Sequence, residues 1–189
     1  MTKKVVVVGG VAGGMSCAAR IKRLDREVGV VVLERGHDVS FANCGMPYYI
    51  GGVIRDRAVM AVQTPQVLSA RYGLDIRTRH EVTAVDTAAK TVRVRALDSG
   101  EEFEERYDAL VLATGAEPLR LPVPGADLPH VQVLNNLQDM DRIAEAAAGA
   151  KAACIIGGGF IGLELAENLH ARGLKITIVE LLEIGRAHV

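Results

Sequence analysis

The chain has no tryptophan, aromatic residues make up 4% of it, and its charges nearly cancel, at a formal net charge of -1 and a pI near 6.5. That balance removes any general attraction to phosphate backbones or anionic membranes, so no nucleic-acid or membrane partner is expected. Local basic clusters remain free to bind a small phosphorylated molecule. No apolar run is long enough to span a bilayer: Val5-Val6-Val7-Val8 is short and passes into glycines, not into a cleavage site, which points to the cytoplasm. Cysteine is scarce as well. Cys17, Cys44 and Cys154, at irregular spacing, make neither a disulfide framework nor a zinc ligand set, and His37 and His80 stand apart from other ligand-type side chains, so no metal is expected. What is present is ordinary globular composition, 49% hydrophobic and 24% charged over 189 residues, enough to bury a core.

Glycine, by contrast, is clustered. Val5-Val6-Val7-Val8 predicts a buried parallel strand, followed by Gly9-Gly10-Val11-Ala12-Gly13-Gly14 and a helix over residues 15–26. A second strand over residues 29–33 ends in Glu34. In such a unit the glycines let backbone approach a pyrophosphate, the helix N-terminus faces it with its positive dipole end, and the acid accepts hydrogen bonds from ribose hydroxyls. Val11 stands where the G-x-G-x-x-G pattern has its middle glycine, which weakens this copy. A second copy is complete: a strand over 152–156, Gly157-Gly158-Gly159-Phe160-Ile161-Gly162, a helix over 163–172, and a strand over 176–179 leading to Glu180. Two copies with strand, helix and terminal acid in register predict two dinucleotides. Glu180 bonds an unphosphorylated ribose and repels a 2′-phosphate, which favours NADH over NADPH.

Between the copies, residues 80–85, 91–97 and 102–107 read as strands of an antiparallel meander with turns at Asp86-Thr87 and Asp98-Ser99-Gly100. Residues 108–115 return as a buried strand ending in the small-residue turn Ala113-Thr114-Gly115. Four prolines and a glycine within 116–129 mark a boundary, and 136–148 read as a helix opening the next unit. The expected fold is α/β, with two Rossmann-like dinucleotide-binding units and a small antiparallel meander. Residues 1–115 form the first domain, and 116–182 the start of a second, truncated one.

One further segment, Ser40-Phe41-Ala42-Asn43-Cys44-Gly45-Met46-Pro47-Tyr48-Tyr49, puts a cysteine one short loop beyond the strand that ends in Glu34. Pro47 suits a first helical turn, and a helix opening there favours the thiolate. On the residues alone the cysteine is as readily an inert packed thiol as a working one.

With that segment, both glycine turns and Ala113-Thr114-Gly115 together, the chain resembles the FAD-dependent pyridine nucleotide-disulfide oxidoreductases, with coenzyme A disulfide reductase the closer match over residues 1–180. The resemblance implies that the first unit binds FAD through Gly9, Gly10, Ala12, Gly13, Gly14, Glu34, Arg35, Val82, Ala113, Thr114 and Gly115. It implies NADH at Gly157, Gly159, Phe160, Ile161, Gly162 and Glu180. Cys44 becomes the redox nucleophile, and Ser16, Arg20, Arg23, Ser40 and Asn43 become contacts of coenzyme A. Arg71 is a weaker contact, since Tyr72 occupies the family's basic position beside it. Tyr49 stands where dithiol reductases of the superfamily carry a second thiol, so the enzyme shares its disulfide with the substrate: electrons from NADH pass by way of FAD to a Cys44–CoA mixed disulfide. The resemblance also implies a homodimer whose partner subunit supplies active-site tyrosines.

Other readings fit the same frame. NADH oxidases and peroxidases of the superfamily cycle the cysteine through sulfenic acid and typically carry histidine in the first glycine turn, where this chain has Ala12. An NADH-dependent CoA-persulfide or polysulfide reductase, often with an added rhodanese domain, shares this sequence and stays open. On the residues alone Arg20 and Arg23, with Lys22 and Arg26, also read as a solvated helix face, and Tyr48 and Tyr49 as packing residues. Cys17, among alanines, and Cys154, entering a buried strand, read as inert. Glu183-Ile184-Gly185-Arg186-Ala187-His188-Val189 reads as the translation of a sequencing adapter, a non-native tail that interrupts the second unit after two strands. With that sheet unfinished, and the later flavin-binding segment and dimerisation domain that the resemblance implies not present, the 189-residue chain by itself is expected to be inactive and poorly stable.

Overall fold

Strand β1 (Lys4–Val8) is parallel to β2 (Gly29–Glu34) on one side and to β7 (Ala109–Leu112) on the other, and β3 (Asp75–Thr78) extends the sheet in the order β3-β2-β1-β7. The computed structural model describes residues 2–182, so the expected tail at 183–189 lies outside the described residues. Chain contacts divide it into two units. One comprises the N-terminal stretch to Phe41 with Ala61–Ala116, and the other comprises Ala42–Met60 with the chain from Glu117 onward.

In the first unit the strands are apolar on both faces because both are covered. Val7, Val30 and Val32 pack with Met15 and Ala18 of α1 (Ala12–Leu24) and Leu68 of α3 (Pro65–Tyr72). The alternate residues Val6, Val8, Val31 and Leu33 pack with Val92 and Val94 of the meander β4 (His80–Asp86), β5 (Thr91–Ala96) and β6 (Glu102–Arg106). Buried Glu105 ties these layers together, accepting from Lys4 of β1 and from Arg77 of β3, the latter at 2.7 Å. Hydrogen bonding to Asp75, opposed by burial, raises the pKa of Arg77 above its already basic value.

Helix α1 begins at Ala12, ahead of the expected Met15, because Gly13 and Gly14 belong to its first turn. It ends at Leu24, where Lys22 Nζ reaches over the next residues to the Val28 carbonyl at 2.9 Å. The expectation of a buried strand over 108–115 is corrected. Strand β7 pairs only with β1 among the described residues, and Leu112 is 63% exposed.

The second unit holds α4 (Leu137–Gly149), the parallel pair β8 (Ala152–Ile156) and β9 (Lys175–Val179), and α5 (Phe160–Ala171). The segment 42–60 adds a 3-10 turn (Asn43–Gly45), α2 (Met46–Ile50) and a second 3-10 turn (Arg57–Met60). The C-terminal end of α2 is tied to α5: Arg172 Nη1 donates to the Ile50 carbonyl at 2.6 Å. Gly51 lies so close to Asn168 that a Cβ there would sit 2.4 Å from its Oδ1. Cys154 is exposed on β8, which corrects its expected burial. No helix among the described residues is long and apolar enough to cross a membrane.

Candidate functional site

The C-terminal ends of β1, β2 and β7 meet at Gly9. Its N–H donates to the Leu33 carbonyl at 2.8 Å, its φ is +101°, and a Cβ there would lie 2.1 Å from the Ala113 carbonyl oxygen. Only glycine lets the chain turn between its neighbours at this point. Gly14 closes the turn from the helix side, since a Cβ on it would lie 1.8 Å from the Gly9 carbonyl. The carboxylate of Glu34 then clasps the loop, Oε2 accepting from the Gly10 N–H and Oε1 from the Gly36 N–H, each at 2.6 Å. The Gly10 carbonyl in turn accepts from Ser40, held at φ +49°.

Because the first intrahelical bond of α1 runs from Met15 to Val11, the amides of Ala12, Gly13 and Gly14 open outward from the helix start. No side chain caps that end, and no acid stands in its first turn. The second unit repeats the arrangement. Gly157 has φ +105°, a Cβ on Gly162 would lie 2.2 Å from its carbonyl, and Glu180 accepts from Gly158 at 2.5 Å and from Leu182 at 2.9 Å. The amides of Phe160, Ile161 and Gly162 are left open, and nothing lies within 4 Å of where a Cβ on Gly159 would be. By contrast α3 is capped by Thr64, and α4 by a reciprocal box of Asn136 and Asp139. Among the described helices of eight residues or more, the two without a side-chain cap are the two that follow glycine turns. Open amides, a positive dipole end and room for close approach fit a dinucleotide pyrophosphate.

The remaining residues of the first site divide. Ala113 lies against the Gly9 turn, Thr114 and Gly115 follow it exposed, and Arg35, also exposed, reaches Glu81 at 3.9 Å. Val82 lies on β4 beside a register shift and packs on the cluster containing Val8 and Leu33.

Ser16, Arg20 and Arg23 recur at the spacing of one helix face and are all exposed on α1. Arg23 meets Arg71 at Tyr72, whose ring centroid is 5.7 Å from the first guanidinium carbon and 5.3 Å from the second. Among the described residues no carboxylate pairs with Arg20, Arg23 or Arg71.

In the second unit Asn43 and Cys44 are exposed in the 3-10 turn that runs straight into α2, with Pro47 in the first helical turn. Cys44 is a free thiol, as are half-buried Cys17 and exposed Cys154. The same strand-to-helix logic does not reach Tyr72 or α3, although Thr64, Pro65 and Gly73 signal a cap, a first turn and a left-handed stop. Nor does any local signal mark Arg172 and Asn168 as the residues that hold α2.

Residues 3–186 match the family described as pyridine nucleotide-disulphide oxidoreductase. The chain is 39% identical over 183 residues to the coenzyme A disulfide reductase of Staphylococcus haemolyticus, covering 96% of this chain and 41% of that protein. Reduced Bacillus anthracis CoADR-RHD aligns with a TM-score of 0.92 at 44% identity, over 96% of this chain and 33% of its own. The NAD-dependent persulfide reductase of A. fulgidus aligns at 0.91 and 36% identity, over 95% and 34%. The chain thus spans less than half the length of these relatives.

Proposed function

The chain belongs to the pyridine nucleotide-disulphide oxidoreductase family, and we propose that it forms the FAD-binding part and the opening of the NAD(H)-binding part of a reductase that cleaves CoA disulfide through the one thiol of Cys44. The observation that carries this reading is a free, solvent-exposed thiol in the turn entering α2, with Tyr49 and no second cysteine on that helix. A thiol so placed takes its disulfide partner from the substrate.

The open amides of Ala12, Gly13 and Gly14, with Glu34 and the turn after β7, are assigned to FAD, Arg35 and Val82 alongside. Those of Phe160, Ile161 and Gly162, with Gly157, Gly159 and Glu180, are assigned to NADH, Glu180 disfavouring a 2′-phosphate. When bound, the flavin supplies a two-electron relay between NADH and sulfur. The Cys44 thiolate attacks one sulfur of CoA disulfide, forming Cys44–S–S–CoA and releasing one CoA thiolate; two electrons and a proton then split the mixed disulfide into Cys44 thiolate and a second CoA thiol. Ser16, Ser40 and Asn43 hold coenzyme A, with Arg20, Arg23 and Arg71 at its phosphates.

A second reading, reduction of a CoA persulfide or polysulfide, draws on the 36% identity to the A. fulgidus persulfide reductase. There the same attack by Cys44 expels a smaller sulfur species. The test follows NADH oxidation by the full-length protein with CoA disulfide, CoA persulfide, polysulfide and hydrogen peroxide. CoA disulfide is expected to turn over in wild type and not in Cys44→Ser. Undiminished turnover in Cys44→Ser refutes the nucleophile, and faster wild-type turnover with persulfide selects the second reading.

A further inference from the structure

Tyr72 closes α3 with its ring packed, partly buried, against the cluster of Val7, Met15 and Val32, so its position is set by the core. Two exposed guanidiniums lie over that ring, Arg23 at 5.7 Å and Arg71 at 5.3 Å from its centroid. Among the described residues neither has a carboxylate partner. Arg77 makes the contrast: it also lies over a ring, Phe103 at 5.9 Å, but its N–H groups are engaged by Asp75 and Glu105. A carboxylate partner neutralises a guanidinium and occupies its donors, whereas a ring attracts the cation and occupies none of them.

We infer that Tyr72 is the positioning residue of a two-arginine phosphate clamp, fixing Arg23 and Arg71 to one rigid ring with their N–H donors left for the phosphates of the ligand. The inference rests on reading the α1 face as the coenzyme A site. A long exposed arginine loses rotamer freedom when it grips a ligand, and part of that loss is already met here by the contact with the ring. The ring therefore acts only on phosphate-bearing ligands. It gives nothing to the pantetheine arm.

The test is calorimetric titration of the full-length, FAD-loaded protein with coenzyme A and with pantetheine, which lacks the phosphates. Tyr72→Leu is expected to raise the Kd for coenzyme A about 3- to 10-fold and leave that for pantetheine unchanged, while Tyr72→Phe, which keeps the ring, restores the wild-type value. Equal weakening of both ligands in Tyr72→Leu would mean that the ring only supports the fold, and overturns the inference. If Arg23→Ala and Arg71→Ala weaken coenzyme A but Tyr72→Leu does not, the clamp fails and the proposed function stands. If wild type binds no coenzyme A, both fall; if it binds with the expected dependence on Tyr72 but turns over no CoA disulfide, the clamp stands alone.

Discussion

Glu34→Gln keeps the shape of the side chain that clasps the first glycine turn and removes one of its two acceptors. In the native turn Gly10 donates to Oε2 and Gly36 to Oε1, both at 2.6 Å. An amide offers a single oxygen, so one N–H is left facing an NH₂ donor. Gly10 is buried and Gly36 half-buried, so the amide turns its oxygen toward Gly10 and Gly36 falls to water. A hydrogen bond to a charged group contributes about 1.5–3 kcal/mol and a neutral one about 0.5–1.5 kcal/mol. The bond at Gly10 is weakened and the bond at Gly36 lost, the latter discounted for solvent, so the expected cost is about 1.5–3 kcal/mol. In the full-length protein this reads as a lower urea midpoint of the FAD-free form and loss of FAD on gel filtration, followed by flavin absorbance. Glu180→Gln is the matched control, since Glu180 holds Gly158 and Leu182 in the same way; it is expected to weaken NADH and leave FAD in place. A Glu34→Gln protein within about 0.5 kcal/mol of wild type and still stoichiometric in FAD would refute the reasoning. So would loss of FAD from Glu180→Gln.

Gly9→Ala is expected to cost at least about 3 kcal/mol, because a residue at φ +101° would also press its Cβ to 2.1 Å from a carbonyl fixed in the sheet. Gly13→Ala, whose nearest neighbour would be 3.8 Å away, should instead gain about 0.5–1 kcal/mol of apo stability from helix propensity; urea denaturation of both variants separates them, and equal destabilisation would contradict the packing of the turn. Glu105→Ala should cost about 1–3 kcal/mol by the same assay. It strands Lys4 and Arg77, which are partly exposed and so recover some hydration, whereas Glu104→Gln on the exposed side of β6 should stay within about 0.5 kcal/mol. A neutral Glu105→Ala would mean that the cluster of Lys4, Glu105 and Arg77 holds no layers together.

The parts of this fold that are legible in the amino-acid order are those with local causes. Val5 to Val8 and Val30 to Leu33 are apolar throughout because both faces of the sheet are covered, and the first passes into the glycine turn and the second into Glu34. The meander is legible for the same reason, its turns falling at residues 87–90 and 97–99, within a residue or two of the expected Asp86-Thr87 and Asp98-Ser99-Gly100. Burial is not a local property. The strand before Ala113 reads as apolar as β1, yet among the described residues β7 has a neighbour on one side only and leaves Leu112 exposed, and Cys154 is exposed on β8, which pairs there with β9 alone. Helix α3 had its signals in Thr64, Pro65 and Gly73, but its period is faint because little of it besides Leu68 is buried.

The candidate sites divide along the same line. Both glycine turns are contiguous in the chain, so their purpose can be read from spacing. The basic face cannot, because which cations are free depends on pairings between distant residues. By composition Arg20, Arg23 and Arg71 are indistinguishable from Arg57, Arg79, Arg95 and Arg142. In space the latter four each meet a carboxylate, at Asp141, Asp98, Glu102 and Asp139, and are structural. The former three meet none among the described residues, and two of them meet a ring instead. Arg26, Arg55, Arg93, Arg106 and Arg120 likewise meet no carboxylate among the described residues, so what sets Arg23 and Arg71 apart is the ring they share on adjoining elements, not the missing partner. A contact between side chains on two separate helices has no signature in chain order, and the proposed clamp rests on that contact.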